Sequence, residues 1–127
     1  MTRLPALFLG AFASAALVAP AQAHPKLVAA SPAANATVAS PQHITLRFTE
    51  KLLPKFSSAS LVMTDMPGMK MNAPMKMAAS SMVHGADGKS LMVMTSKPLP
   101  AGTYKLSWRV VGGDSHPITG AYNFRVK

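Results

Sequence analysis

The sequence predicts an all-β domain, a Greek-key barrel or sandwich of about seven short strands in an immunoglobulin-like arrangement. Three observations carry that prediction. Apolar and polar residues alternate with a period of two in several short runs, glycine, proline and aspartate punctuate them, and no stretch after residue 23 keeps a helical period.

In chain order, "KLVAASP" gives a first short strand ending at Pro32. "HITLRFTEKL" sets Ile44, Leu46 and Phe48 against Thr45, Arg47 and Thr49, the pattern of a half-buried strand. "SASLVMT" continues in the same style until a methionine-rich stretch interrupts it. Asp87-Gly88 in "HGADGKS" is a strong hairpin signal, and "LMVMT" follows it. Tyr104, Leu106, Trp108 and Val110 share one face of the next strand, and Tyr122, Phe124 and Val126 point inward from the last. No repeat, linker or second domain is visible.

The first 23 residues obey different physics. Arg3 precedes an apolar run, and "AQA" at 21–23 places small residues where a signal peptidase reads. Pro5 and Pro20 break the run, leaving it short of the roughly 20 apolar residues that span a bilayer. The expectation is a signal peptide over 1–23, cleaved after Ala23, and one soluble domain over 24–127 delivered to the periplasm. Removal of Arg3 leaves 12 basic and 4 acidic residues, a net charge of +8. The basic residues are scattered, with no run or aromatic interleaving, so nucleic acid is not indicated. The chain has 0 cysteines, so the fold rests on its core and any soft metal ligand must be methionine.

Six of the 10 methionines fall in "LVMTDMPGMKMNAPMKMAA", residues 61–79. Methionine is ordinarily a core gap-filler. Here Pro67, Gly68 and Pro74 deny the segment a regular helix or strand in which to bury side chains. A surface loop dense in thioethers is better explained as a set of soft, neutral donors, which prefer Cu(I) and need no deprotonation. Met82, Met92 and Met94 lie in strand-like apolar runs and are expected in the core.

His43 and His84 read as surface residues. Cleavage would free the α-amino group of His24, giving one residue two nitrogen donors of the kind that suit Cu(II). In "GGDSHPITG", Asp114 and His116 stand two apart and would share a face at a strand end. An aspartate-capped turn before a proline explains the same pattern.

"HPKLVAASPA", "FTEKL", "LVMTDMPGM", "LPAGTYKLSWRVVGGDSHPITG" and "FRVK" together resemble the CopC family of periplasmic copper-resistance proteins, over nearly all of residues 24–127. The resemblance implies a cysteine-free Greek-key β-barrel that binds Cu(II) at His24, Asp114 and His116. It implies a Cu(I) site in the methionine loop, at Met63, Met66, Met69 and Met75. Family loops commonly carry a histidine where this chain has Met71, and one residue is inserted before the following Pro-Met. A Cu(I) site here would then be all thioether, with Met71 included. Glu50 lies where the family often has an acidic residue, and reads as an ordinary polar strand end.

The implied function is a copper carrier without turnover, acting with a CopD-type inner-membrane protein and other envelope copper proteins. An N-terminal histidine also resembles the copper brace of lytic polysaccharide monooxygenases, but one tryptophan and two tyrosines, all in strand patterns, offer little glycan-binding surface. A structural β-sandwich with incidental methionines is the third reading.

Overall fold

Alternation along the chain becomes two packed sheets in the computed structural model, which describes residues 15–16 and 24–127. The expected signal peptide and its cleavage point lie outside the described residues, apart from Ala15 and Ala16.

Among the described residues nine strands form: β1 (Leu27–Ser31), β2 (Thr37–Val38), β3 (His43–Phe48), β4 (Ser58–Asp65), β5 (Met75–Lys76), β6 (Ala79–His84), β7 (Ser90–Thr95), β8 (Gly102–Val111) and β9 (Pro117–Val126). One sheet runs β1-β3-β7-β6 and the other β2-β9-β8-β4-β5. All neighbours are antiparallel except β2 and β9. The chain changes sheet repeatedly, so the connections cross between layers as in a Greek-key sandwich. The sequence expectation of about seven strands falls short by the two-residue β2 and β5, too short for any period to register. Asp87-Gly88 does close the β6–β7 hairpin.

Between the layers lie Ile44, Leu46, Phe48, Leu61, Leu91, Val93, Tyr104, Leu106, Val110 and Phe124, each no more than 1% exposed. These are the inward positions of the alternation, and their removal from water is the main force holding a chain without disulfides. Three polar side chains in or beside the core are paired. The Ser57 hydroxyl accepts the Val111 N–H at 3.1 Å, and the Tyr104 and Tyr122 hydroxyls donate to the carbonyls of Pro100 and Pro32. Burial pushes the Tyr122 phenol up to about 12.

One expectation about the core is corrected. Met82 and Met94 are 55% and 49% exposed, and Met92 is only half-buried. "LMVMT" is apolar on both faces, so composition does not reveal which face is inward. The register does, because Leu91 and Val93 take the core side and force Met92 and Met94 outward.

β8 and β9 pair residue for residue, from Gly102 opposite Val126 to Val111 opposite Pro117. Within this ribbon Trp108 stands opposite Gly120, and a Cβ on Gly120 would fall inside contact distance of the indole carbons Cζ2 and Cε2. The absent side chain lets the indole lie across the partner strand, edge-on to Phe48 and against Tyr122. Gly120→Ala should therefore cost about 1–3 kcal/mol by overpacking, lowering Tm by roughly 5–15 °C. Gly113→Ala, with nothing within 4 Å of its added Cβ, serves as the control that should leave Tm nearly unchanged.

Candidate metal centre

The β8–β9 ribbon ends in a five-residue tip, 112–116, and the tip is built to present side chains. The Ser115 N–H donates to the Gly112 carbonyl at 3.1 Å, and Ser115 adopts a left-handed backbone with φ 65°. That conformation is uncommon for a residue with a Cβ and is stabilised here by its surroundings. Asp114 divides its oxygens between two tasks. Oδ1 accepts the His116 N–H at 3.3 Å and fixes the turn, while Oδ2 faces away toward the start of the domain.

What Oδ2 faces is His24. The segment ahead of β1 is tied down where Lys26 N–H donates to the Thr49 hydroxyl at 3.0 Å and Thr49 N–H donates to the Lys26 carbonyl at 2.9 Å. This clamp to the end of β3 carries His24 over the hairpin tip. Its Nδ1 lies 2.5 Å from Asp114 Oδ2, and His116 Nδ1 lies 3.9 Å from the same oxygen. The imidazole rings are 6.1 Å apart, and one donor atom from each of the three residues falls within 4.8 Å of the others.

The short His24–Asp114 contact lacks hydrogen-bond geometry, and both Nδ1 and Oδ2 are inaccessible to water without any hydrogen-bond partner. Two buried, unsatisfied atoms are costly unless something else satisfies them. Two imidazoles and a carboxylate are also the donor set that suits a borderline transition-metal ion. The capped turn is present, through Oδ1, and the same residue leaves Oδ2 beside both imidazoles. The strand-end geometry expected for Asp114 and His116 is replaced by a hairpin tip. Glu50 is half-buried at the end of β3 and stands outside the cluster.

The methionine stretch divides by burial. β4 runs on to Asp65, so Met63 takes an inward position after Leu61 and is fully buried. This corrects its expected place among the loop donors, since its thioether packs in the core. Met66 and Met69 form an isolated bridge around Pro67 and Gly68, with the Met69 N–H donating to the Met66 carbonyl at 3.1 Å. Gly68, at φ +76°, supplies the conformation that this turn requires. β5 then returns alongside β4, bringing Met75 opposite Met63. Met69 and Met75 are 63% and 52% exposed, whereas Met66, Met71 and Met77 are half-buried against the core.

These two donor groups lie at opposite ends of the five-stranded sheet. Asp65, where the loop begins, pairs with Thr103, and the hairpin tip follows Val111. The strand from Thr103 to Val111 spans about 26 Å.

A family model described as the CopC domain matches residues 27–127. The chain belongs to the CopC family. Copper resistance protein C of Xanthomonas campestris pv. juglandis is 59% identical over 109 residues, covering 86% of this chain and 84% of the relative. Copper resistance protein C of Escherichia coli is 50% identical over 107 residues, covering 84% of each. Among solved structures, selenomethionine PcoC, a copper resistance protein from Escherichia coli, superposes with a TM-score of 0.77 at 50% identity, covering 81% of this chain and all (100%) of that one. CopC from Methylosinus trichosporium OB3b superposes with a TM-score of 0.68 at 30% identity, covering 82% and 94%. Copper handling is therefore the business of the family to which this CopC chain belongs. No described helix is long and apolar enough to cross a membrane.

The clamp at Lys26 and Thr49 and the left-handed Ser115 carry no sequence signature, because each acts only through the fold. Met63 and Met75 give a direct check on the division of the methionines. Met63→Ala should destabilise the domain by about 2–5 kcal/mol. Met75→Ala, exposed on the two-residue β5, should stay within about 0.5 kcal/mol of the wild type in chemical denaturation.

Proposed function

We propose that the chain is an exported copper carrier of the periplasm that holds Cu(II) at His24, Asp114 and His116 and Cu(I) at the methionine loop, without turnover. The observation that carries the Cu(II) half is the buried, unpartnered pair His24 Nδ1 and Asp114 Oδ2, with a second imidazole beside it. Cleavage after Ala23 would add the freed α-amine of His24 to the donor set and complete a nitrogen-rich array of the kind Cu(II) favours. Ligand deprotonation couples such a site to pH, so acidification would release the ion by protonating the imidazoles.

For the Cu(I) half the supporting features are Met66, Met69, Met71 and Met75, which stand at the surface or at the edge of the core around a turn that buries little else. Thioethers are neutral and soft, so they would hold Cu(I) and leave Cu(II) to the harder site. With about 26 Å of strand between them, the two sites would fill independently, and oxidation state would decide which one holds the ion. Binding without turnover is favoured by the aromatics, since Trp108, Tyr104 and Tyr122 pack inward and offer no flat platform for a polymer. Delivery to, or acceptance from, a CopD-type inner-membrane protein completes the proposal.

A Cu(II) competition titration on protein beginning at His24, beside protein with one residue added ahead of it, tests the first site. The added residue leaves every side chain in place and removes the amine, so affinity should fall by at least about tenfold, or 1.4 kcal/mol. Equal affinities would exclude the N-terminal chelate. For the loop, Met66→Leu with Met69→Leu should weaken Cu(I) binding at least about tenfold while leaving Cu(II) affinity unchanged. Unchanged Cu(I) affinity would remove the loop from the proposal.

A further inference from the structure

The outward methionines of the four-stranded sheet are unexplained by either site. Registration of β3, β7 and β6 sets their solvent-facing side chains in rows. His43, Met94 and Ser80 form one row, and Thr45, Met92 and Met82 the next. Arg47, Ser90 and His84 form a third, where Ser90 is covered and Arg47 is paired with Asp87 at 2.9 Å. The first two rows therefore bring three thioethers and one imidazole to a single face, with no carboxylate among them.

Scattered exposed methionines need no explanation. A contiguous group on a rigid sheet is different, because the solvent face of an antiparallel strand ordinarily carries polar residues. Spacing is set by the backbone. Directly opposite pairs, Met92 with Met82 and Met94 with His43, hold their Cβ atoms about 4.5–5.5 Å apart. Met92 and Met94 are two residues apart on one strand, about 6.7 Å, and the diagonal from Met94 to Met82 is about 7–8 Å. Methionine has three rotatable bonds, so sulfurs at these separations can turn toward one point above the sheet. Ser80 and Thr45, the remaining members of these rows, are short and leave that point open.

We propose that Met82, Met92 and Met94, with His43 at the rim, form a third metal site, specific for a soft monovalent ion such as Cu(I). Met92 and Met94 are the central donors. The all-neutral donor set disfavours harder divalent ions, which prefer carboxylate and carbonyl oxygen. Its strands differ from those that carry the methionine loop and the histidine centre, so it stands whether or not those two sites bind copper.

Anaerobic titration of the purified protein with Cu(I), followed through the methionine ε-methyl resonances, tests the site. It is run on the wild type and on a loop variant carrying Met66→Leu, Met69→Leu, Met71→Leu and Met75→Leu. The ε-methyls of Met82, Met92 and Met94 should shift in both proteins. Adding Met92→Leu and Met94→Leu should abolish the shift at Met82 and lower the Cu(I) stoichiometry by one equivalent. Tm without metal should change little, because Met94 faces solvent, Met92 is half-buried on the outer face, and leucine is close to methionine in volume. Resonances of Met82, Met92 and Met94 that stay in place at saturating Cu(I), or move only when the loop is intact, would overturn the proposal.

Discussion

The pairing of β8 with β9 is the constraint on which the rest depends. Ten residues of each strand stay in register without a bulge, so the ribbon is long, and its two ends are fixed relative to one another. It delivers Tyr104, Leu106, Val110 and Phe124 to the core, and it permits the Trp108 indole to lie over Gly120. At its far end the strands stop at Val111 and Pro117, and the five residues between them form a turn closed by the Ser115 N–H donating to the Gly112 carbonyl. Asp114 is held there by its own bond to the His116 N–H, which leaves Oδ2 aimed at His24. A site assembled from the two extremes of the domain, residue 24 and residues 114–116, thus needs no cross-link beyond strand pairing and the clamp at Lys26 and Thr49.

Burial sorts the methionines into roles that composition cannot. Met63 fills the core, where a flexible side chain completes the packing between sheets. Met69 and Met75 stand outside it, and Met66 and Met71 lie between, with part of each side chain against apolar neighbours. Thioethers so placed can bind an ion without unfolding the domain. The histidine–carboxylate cluster and the methionine loop stand at opposite ends of the sandwich, so the proposed Cu(II) and Cu(I) sites would be separated by distance as well as by ligand type.

Much of this was legible in the sequence, for identifiable reasons. Period-two alternation located β3, β8 and β9, because each has one buried face, and Asp87-Gly88 located a hairpin because few residues suit that turn. Asp-x-His and the histidine after "AQA" marked the three residues that the fold gathers. Where both faces of a strand are apolar, as in "LMVMT", the pattern is silent and only the pairing with β3 and β6 shows which methionines turn outward. Met63 is a different case. The strand-like run "SASLVMT" already sets it on the face of Leu61, and its place among the loop donors came from the family resemblance. The clamp that positions His24 joins residues 23 apart and is invisible to any local pattern.

Convergence of two imidazoles and one carboxylate on a single Cu(II) is the central claim, and pulsed electron paramagnetic resonance tests it most directly. The modulation from remote imidazole nitrogens counts the histidines bound equatorially to Cu(II) at one equivalent. Two are expected in the wild type, His24 and His116, and one in His116→Gln. A spectrum with no imidazole modulation, or one that His116→Gln leaves unchanged, would contradict the account.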